Sequence, residues 1–114
     1  MPEFVTEARR RYPDHRFIGG NIADVEDNEF DVVVLAGVLS SVPNPKQVLA
    51  DASKRTSNQI IFDVTIHDRV RKGFEGLNMW SISEANTMAE KIGLSEIKMY
   101  DEGNVWVILS GKLV

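Results

Sequence analysis

His67 and Asp68 stand side by side, a histidine that can exchange a proton near neutral pH next to a carboxylate that can orient it. The pair is a candidate general base, and it reads equally well as a loop histidine beside a surface acid. Asp63 lies inside an apolar run, where a carboxylate is costly unless it is paired. A structural hydrogen bond at a strand end would account for it. Asn21 follows Gly19-Gly20 and carries an amide that both donates and accepts, suited to a ligand edge or to a turn. Ala36-Gly37 is a pair of small residues that lets a ligand, or a packed helix, approach the backbone closely. His15 and His67 are too few and too far apart to suggest a metal site. With no cysteine there is no thiolate nucleophile and no disulfide. No G-x-G-x-x-G phosphate or nucleotide loop occurs in the sequence.

The elements that position these residues alternate between helix and strand. Pro2 to Tyr12 has Phe4, Val5, Ala8 and Tyr12 at helical spacing, and Tyr12-Pro13-Asp14 stops it. Arg16 to Ile22 is expected as a short strand. Phe30 to Leu39 is the clearest strand, because Val32-Val33-Val34-Leu35 is continuously apolar, as in a parallel strand covered on both faces. Asn44-Pro45 starts a helix, with Asn44 as N-cap and Pro45 at the first helical position. Gln59 to Ile66 is a second buried strand, and residues 67–80 form a loop. Ser81 and Glu84 have the spacing of a capping box, opening a helix that ends at Gly93. Ile97 and Met99, the turn at residues 101–104 and the strand from Val105 to Leu109 make a closing antiparallel hairpin.

Ligands in open α/β sheets bind outside the carboxyl ends of the strands. That rule nominates Asn21, Ile22, Ala36, Gly37, Ser40 and Ser41, with Thr65, His67 and Asp68 after the later strand. A chain of 114 residues with 43% hydrophobic and 26% charged residues is sized and composed as one globular domain. Its net charge of −4 gives no electrostatic reason to bind nucleic acid or an anionic membrane. Arg9, Arg10 and Arg11 form the only basic run, and no apolar stretch reaches the length of a membrane span. The absence of cysteine fits a cytoplasmic setting.

Three stretches carry a family likeness: Phe17-Ile18-Gly19-Gly20-Asn21-Ile22, the run from Phe30 to Pro45, and Ser81 to Leu94. In this order, and followed by a terminal hairpin, they resemble the C-terminal two-thirds of class I S-adenosylmethionine-dependent methyltransferases, of the broad small-molecule group. The resemblance implies an α/β fold: a truncated Rossmann-like sheet, mostly parallel with a C-terminal antiparallel hairpin, with helices on both faces. It implies that residues 1–114 form a single truncated domain, that S-adenosylmethionine is the cofactor, and that Asn21, Ile22, Ala36, Gly37 and Ser40 line its site. The acceptor would be a small molecule, with His67 and Asp68 the candidate catalytic pair. Against the family pattern, Asn21 replaces an Asp, Ser41 stands where a His is common, and Thr56-Ser57-Asn58 replaces Pro-Gly-Gly.

A sheet lacking the family's first strands would leave the edge at residues 31–37 exposed, so a homodimer or a separate partner chain is expected to cover it. Two other readings remain. One is a degenerate, non-catalytic relative serving as an assembly or regulatory module. The other is an unrelated receiver-like domain, for which Asp24, Glu26 and Asp27 would be a poor acidic cluster.

Overall fold

The computed structural model describes residues 2–25, 30–70 and 78–113. Glu26, Asp27 and much of the expected loop at 67–80 therefore fall outside the described residues. The order is α1 (Pro2–Arg11), a short 3-10 turn (Ile22–Asp24), β1 (Phe30–Leu35), α2 (Pro45–Lys54), β2 (Thr56–Thr65), a second 3-10 turn (His67–Arg69), α3 (Ile82–Lys91), β3 (Leu94–Tyr100) and β4 (Trp106–Leu113). The strands form one sheet ordered β1-β2-β4-β3. β1 runs parallel to β2, whereas β4 is antiparallel to both β2 and β3, so the sheet is mixed and ends in the hairpin.

Local chemistry accounts for the element ends. Pro45 occupies the start of α2 behind Asn44, although the Asn44 side chain makes no capping bond. At α3 the capping box is complete: Ser81 Oγ accepts from the Glu84 amide and the Glu84 carboxylate accepts from the Ser81 amide, each at 3.0 Å. Those bonds satisfy two amides that the helix cannot pair internally. Gly93, at φ 88°, then turns the chain left-handed into β3. β1 stops four residues earlier than its apolar run, because Gly37 at φ 68° bends the backbone out of the sheet. Leu39, beyond the bend, is wholly buried and belongs to the core rather than to the strand.

The expected strand at Arg16–Ile22 does not form. Gly20 takes φ 126°, and Phe17 is held through its carbonyl by Arg9 Nη2 at 2.9 Å rather than by a neighbouring strand. A strand is defined by its ladder, and no described strand lies beside this segment to supply one.

Residues of alternate parity on the strands meet on one face of the sheet. Leu35, Ile60, Phe62, Val64, Val107 and Leu109 pack there with Leu49 and Ala52 of α2 and with Ala85, Met88 and Ala89 of α3. On the opposite face Val34, Trp106 and Ile108 remain exposed, as does Tyr100. Gly111 shows how tightly the core face is built. A Cβ there would sit 2.8 Å from the Leu94 Cβ and 2.9 Å from its Cδ1, so only glycine lets β4 pass Leu94. Gly111→Ala should therefore destabilise the fold by about 1–3 kcal/mol through overpacking. Urea denaturation checks this; an unchanged midpoint would show that β3 simply moves aside.

Candidate functional site

The carboxyl ends of β1 and β2 are tied together by side chains. The Gly37 amide donates to both carboxylate oxygens of Asp63, each at 3.0 Å. Ser40 Oγ and Thr65 Oγ1 lie 2.7 Å apart and share a hydrogen bond, with Ser40 nearly buried. Ser41 Oγ donates to the Gly37 carbonyl at 3.1 Å. Together these bonds fix the turn Ala36–Ser41 against the end of β2. The acid inside the apolar run is thus the partner of a backbone amide, which answers the cost of placing it there.

Asn78 completes the turn. Its amide nitrogen donates to the Leu39 carbonyl at 3.0 Å and to the Val42 carbonyl, and its backbone N–H donates to the Ser40 carbonyl at 2.9 Å. Sequence reasoning missed this residue. Nothing local distinguishes Asn78 from any other loop asparagine, because its partners lie in a distant part of the chain. Trp80 follows, buried, with its N–H donating to the Thr65 carbonyl at 2.9 Å and its carbonyl accepting from His67 at 3.0 Å.

His67 and Asp68 lie just past β2, with Nδ1 2.5 Å from the Asp68 carboxylate and Nε2 3.9 Å from Glu84. Glu84 is held below the usual carboxylate range, first by the Ser81 backbone amide and then by the Ser81 hydroxyl, with His67 and Lys46 adding to the effect. The segment is anchored by Arg69, which forks onto the Asp101 carboxylate at 2.7 and 2.9 Å and donates to the Asn104 carbonyl at 3.0 Å. That pairing, with the Gly103 amide, lowers the Asp101 pKa to about 2.

The nominated residues do not all converge. Ala36, Gly37, Ser40, Ser41, Thr65, His67 and Asp68 gather at the carboxyl ends of β1 and β2. Asn21 and Ile22 belong to the first 3-10 turn, which is secured at the other end of the strands. There Arg55, directly before β2, donates to the carbonyls of Ala23 and Val25 at 3.0 and 2.9 Å, and its own carbonyl accepts from Phe30 at the start of β1. Asn21 caps that turn through its backbone, the N–H donating to Asp24 at 3.1 Å.

A family described as a methyltransferase domain matches residues 1–59. The chain belongs to this methyltransferase family. Among solved structures, the magnesium protoporphyrin IX methyltransferase of Synechocystis PCC 6803, with S-adenosylhomocysteine bound, superposes with a TM-score of 0.71 at 12% identity, covering 99% of this chain and 61% of that one. An O-methyltransferase family protein from Burkholderia thailandensis gives 0.73 at 16% identity, covering 99% and 42%. Human N-acetylserotonin methyltransferase in complex with S-adenosylmethionine gives 0.72 at 14% identity, covering 99% and 39%. These likenesses show a Rossmann-like methyltransferase fold, and the chain spans less than two thirds of each of these proteins. No curated protein matches the chain. No helix among the described residues is long and apolar enough to cross a membrane.

The Arg69–Asp101 pair sets a pH dependence with a definite sign. A carboxyl whose pKa falls from 3.8 to about 2 on folding stabilises the fold above 3.8, and that contribution disappears as pH falls toward 2. Asp101→Asn should flatten the acid limb of stability in that window and leave the neutral limb with a lower, pH-independent midpoint. Urea midpoints measured for both proteins between about pH 5 and pH 2 check it. Parallel curves would remove Asp101 from the acid response.

Proposed function

We propose that this domain takes part in S-adenosylmethionine-dependent methyl transfer to a small molecule in the cytoplasm, with the cofactor against the turn Ala36–Ser40. The observation that carries the reading is the Gly37 turn. It stands at the carboxyl end of a parallel strand, is held there by Asp63, and leaves open space where a Cβ would be. Family membership and fold supply the cofactor class.

The fit of the cofactor to this chain is one-sided. Ala36 and Gly37 offer backbone that a ligand can approach, and Ser40 and Thr65 offer a hydroxyl pair behind it. The Gly37 amide is already engaged by Asp63, and the carbonyls of residues 37–40 accept from Ser41 and Asn78, so this wall would act by shape more than by hydrogen bonding. Asn21 and Ile22 stand in the 3-10 turn whose following residues Ala23 and Val25 are held by Arg55. The bound cofactor would supply an electrophilic methyl group. The chain's part is to orient it and to exclude water, which suffices where holding two reactants at near-attack distance is the main source of rate. His67, beside Asp68 at the same end of the sheet, would accept a proton from the acceptor.

The second reading, a non-catalytic assembly module, draws on the exposed apolar face of the sheet. Calorimetric titration with S-adenosylmethionine and S-adenosylhomocysteine separates the two. Saturable binding at micromolar strength, weakened about tenfold or more by Gly37→Val, is the expected result, since the added side chain would fill the open approach. Absence of heat and of a thermal shift at millimolar ligand would leave the assembly reading.

A further inference from the structure

α2 and α3 cover the same face of the sheet, but each packs on its own support. α2 rests on β2 and the first 3-10 turn, and α3 rests on β3. Between the helices lies a cleft of about 340 Å³, bordered by Lys46 in the first turn of α2, by Trp80 and by one side of α3. Two rows of α3 side chains line it, Thr87 with Lys91 and Glu84 with Met88 and Ile92. Members of each row are four residues apart and stack along the helix. Trp80 and Met88, only 7% and 5% exposed, and the half-buried Ile92 make an apolar floor beneath a charged rim. Small-molecule sites are built in this way, and the volume falls within their usual range of about 300–1,000 Å³.

The rim has the opposite sign to the protein as a whole. It carries two ammonium groups and one carboxylate, on a chain whose net charge is −4. The carboxylate is already engaged, since Glu84 accepts from the Ser81 amide at 3.0 Å and lies 3.9 Å from His67 Nε2. Lys46 stands close enough to help hold Glu84 ionised. Lys91, seven residues further along α3 and so about 10 Å away along the axis, has no ion-pair partner among the described residues.

We infer that this cleft binds a small amphipathic carboxylate, with the apolar body of the ligand on Trp80, Met88 and Ile92 and its charge at Lys91. Lys46, near the opposite end, adds to the positive field that draws the anion in. A cationic ligand would meet two ammonium groups and find only a carboxylate that the helix cap already uses. The cleft shares no residue with the turn Ala36–Ser41, so the inference stands apart from the reading under Proposed function. The two meet only through Trp80, whose N–H donates to the Thr65 carbonyl.

The floor supplies its own reporter. The chain has two tryptophans, and Trp106 is 54% exposed, so Trp106→Phe leaves Trp80 as the single source of indole emission. The probes are 4-phenylbutyrate and 4-phenylbutylamine, which share a body and differ in the sign of the charge. The expected result is a saturable change in Trp80 emission with 4-phenylbutyrate at a dissociation constant of about 1 mM, as its size allows. The amine should bind about fivefold or more weakly, and added salt should narrow the difference. Lys46→Gln with Lys91→Gln should abolish the preference for the acid. That readout compares two ligands on one protein, so a modest loss of stability does not imitate it. Thr87→Phe, which fills the cleft from an exposed helix position, should weaken both probes, with circular dichroism confirming that α3 is intact. No saturable response of Trp80, equal binding of the two probes, a preference that survives loss of both lysines, or binding untouched by Thr87→Phe overturns the inference.

Discussion

Strand β2 has a neighbour on each side and a buried face along most of its length, and the rest of the domain is arranged around it. Ile60, Phe62 and Val64 are essentially without exposure, each worth about 1.5–3 kcal/mol as a buried side chain. Against them pack α2 and α3, both on the core face of the sheet, while β1 and β4 take up the two hydrogen-bonding edges. Because β1 is parallel and β4 antiparallel, β2 is also where the sheet changes sense. The crossover from β1 through α2 has to return the chain to the start of β2, which the Arg55 carbonyl marks by accepting from Phe30.

The same strand reaches the candidate site through the residues that point away from the core. Asp63 and Thr65 alternate with Phe62 and Val64, so the face that does not bury apolar surface holds the turn after β1. Asp63 therefore serves as the fixed acceptor for Gly37, and a carboxylate held by two contacts to a backbone amide is a poor choice of mobile base. His67 stands at the same end, just past β2, beside Asp68. Its backbone is tied to Trp80 and its segment to the β3–β4 turn through Arg69, so the imidazole is presented by a braced segment.

What could be read from the sequence is what short-range physics decides. The starts of α2 and α3 follow from Asn44-Pro45 and from Ser81 with Glu84, and the β-branched runs mark β1 and β2. The grouping of Ala36, Gly37, Ser40 and Thr65 followed from one rule about strand ends. The errors came where the deciding partner is distant. Phe17 to Ile22 has strand composition, but a strand exists only beside another, and here the segment folds back on α1, with Gly19 against Val5. Asn21 was grouped with Gly37 by the strand-end rule and by the family resemblance, and what the sequence did not show is that Arg55 holds its turn through the carbonyls of Ala23 and Val25. Asn78 had no local signature, since its three partners are backbone groups from residues 39–42.

The open face of the sheet follows from the same distinction. A strand that is apolar on consecutive residues is written for burial on both faces, and Val32-Val33-Val34 is such a run. Only one of its faces is covered by α2 and α3, and Val34 remains the most exposed of the three. On that uncovered side Val34 lines up with Ile61, and Ile108 lies between Asp63 and Tyr100 across the strands. Asp63 and Thr65 interrupt these apolar residues, so the open face is mixed in character rather than a continuous core. The polar residues of that face are the ones that hold the turn after β1, through Asp63 to Gly37 and Thr65 to Ser40.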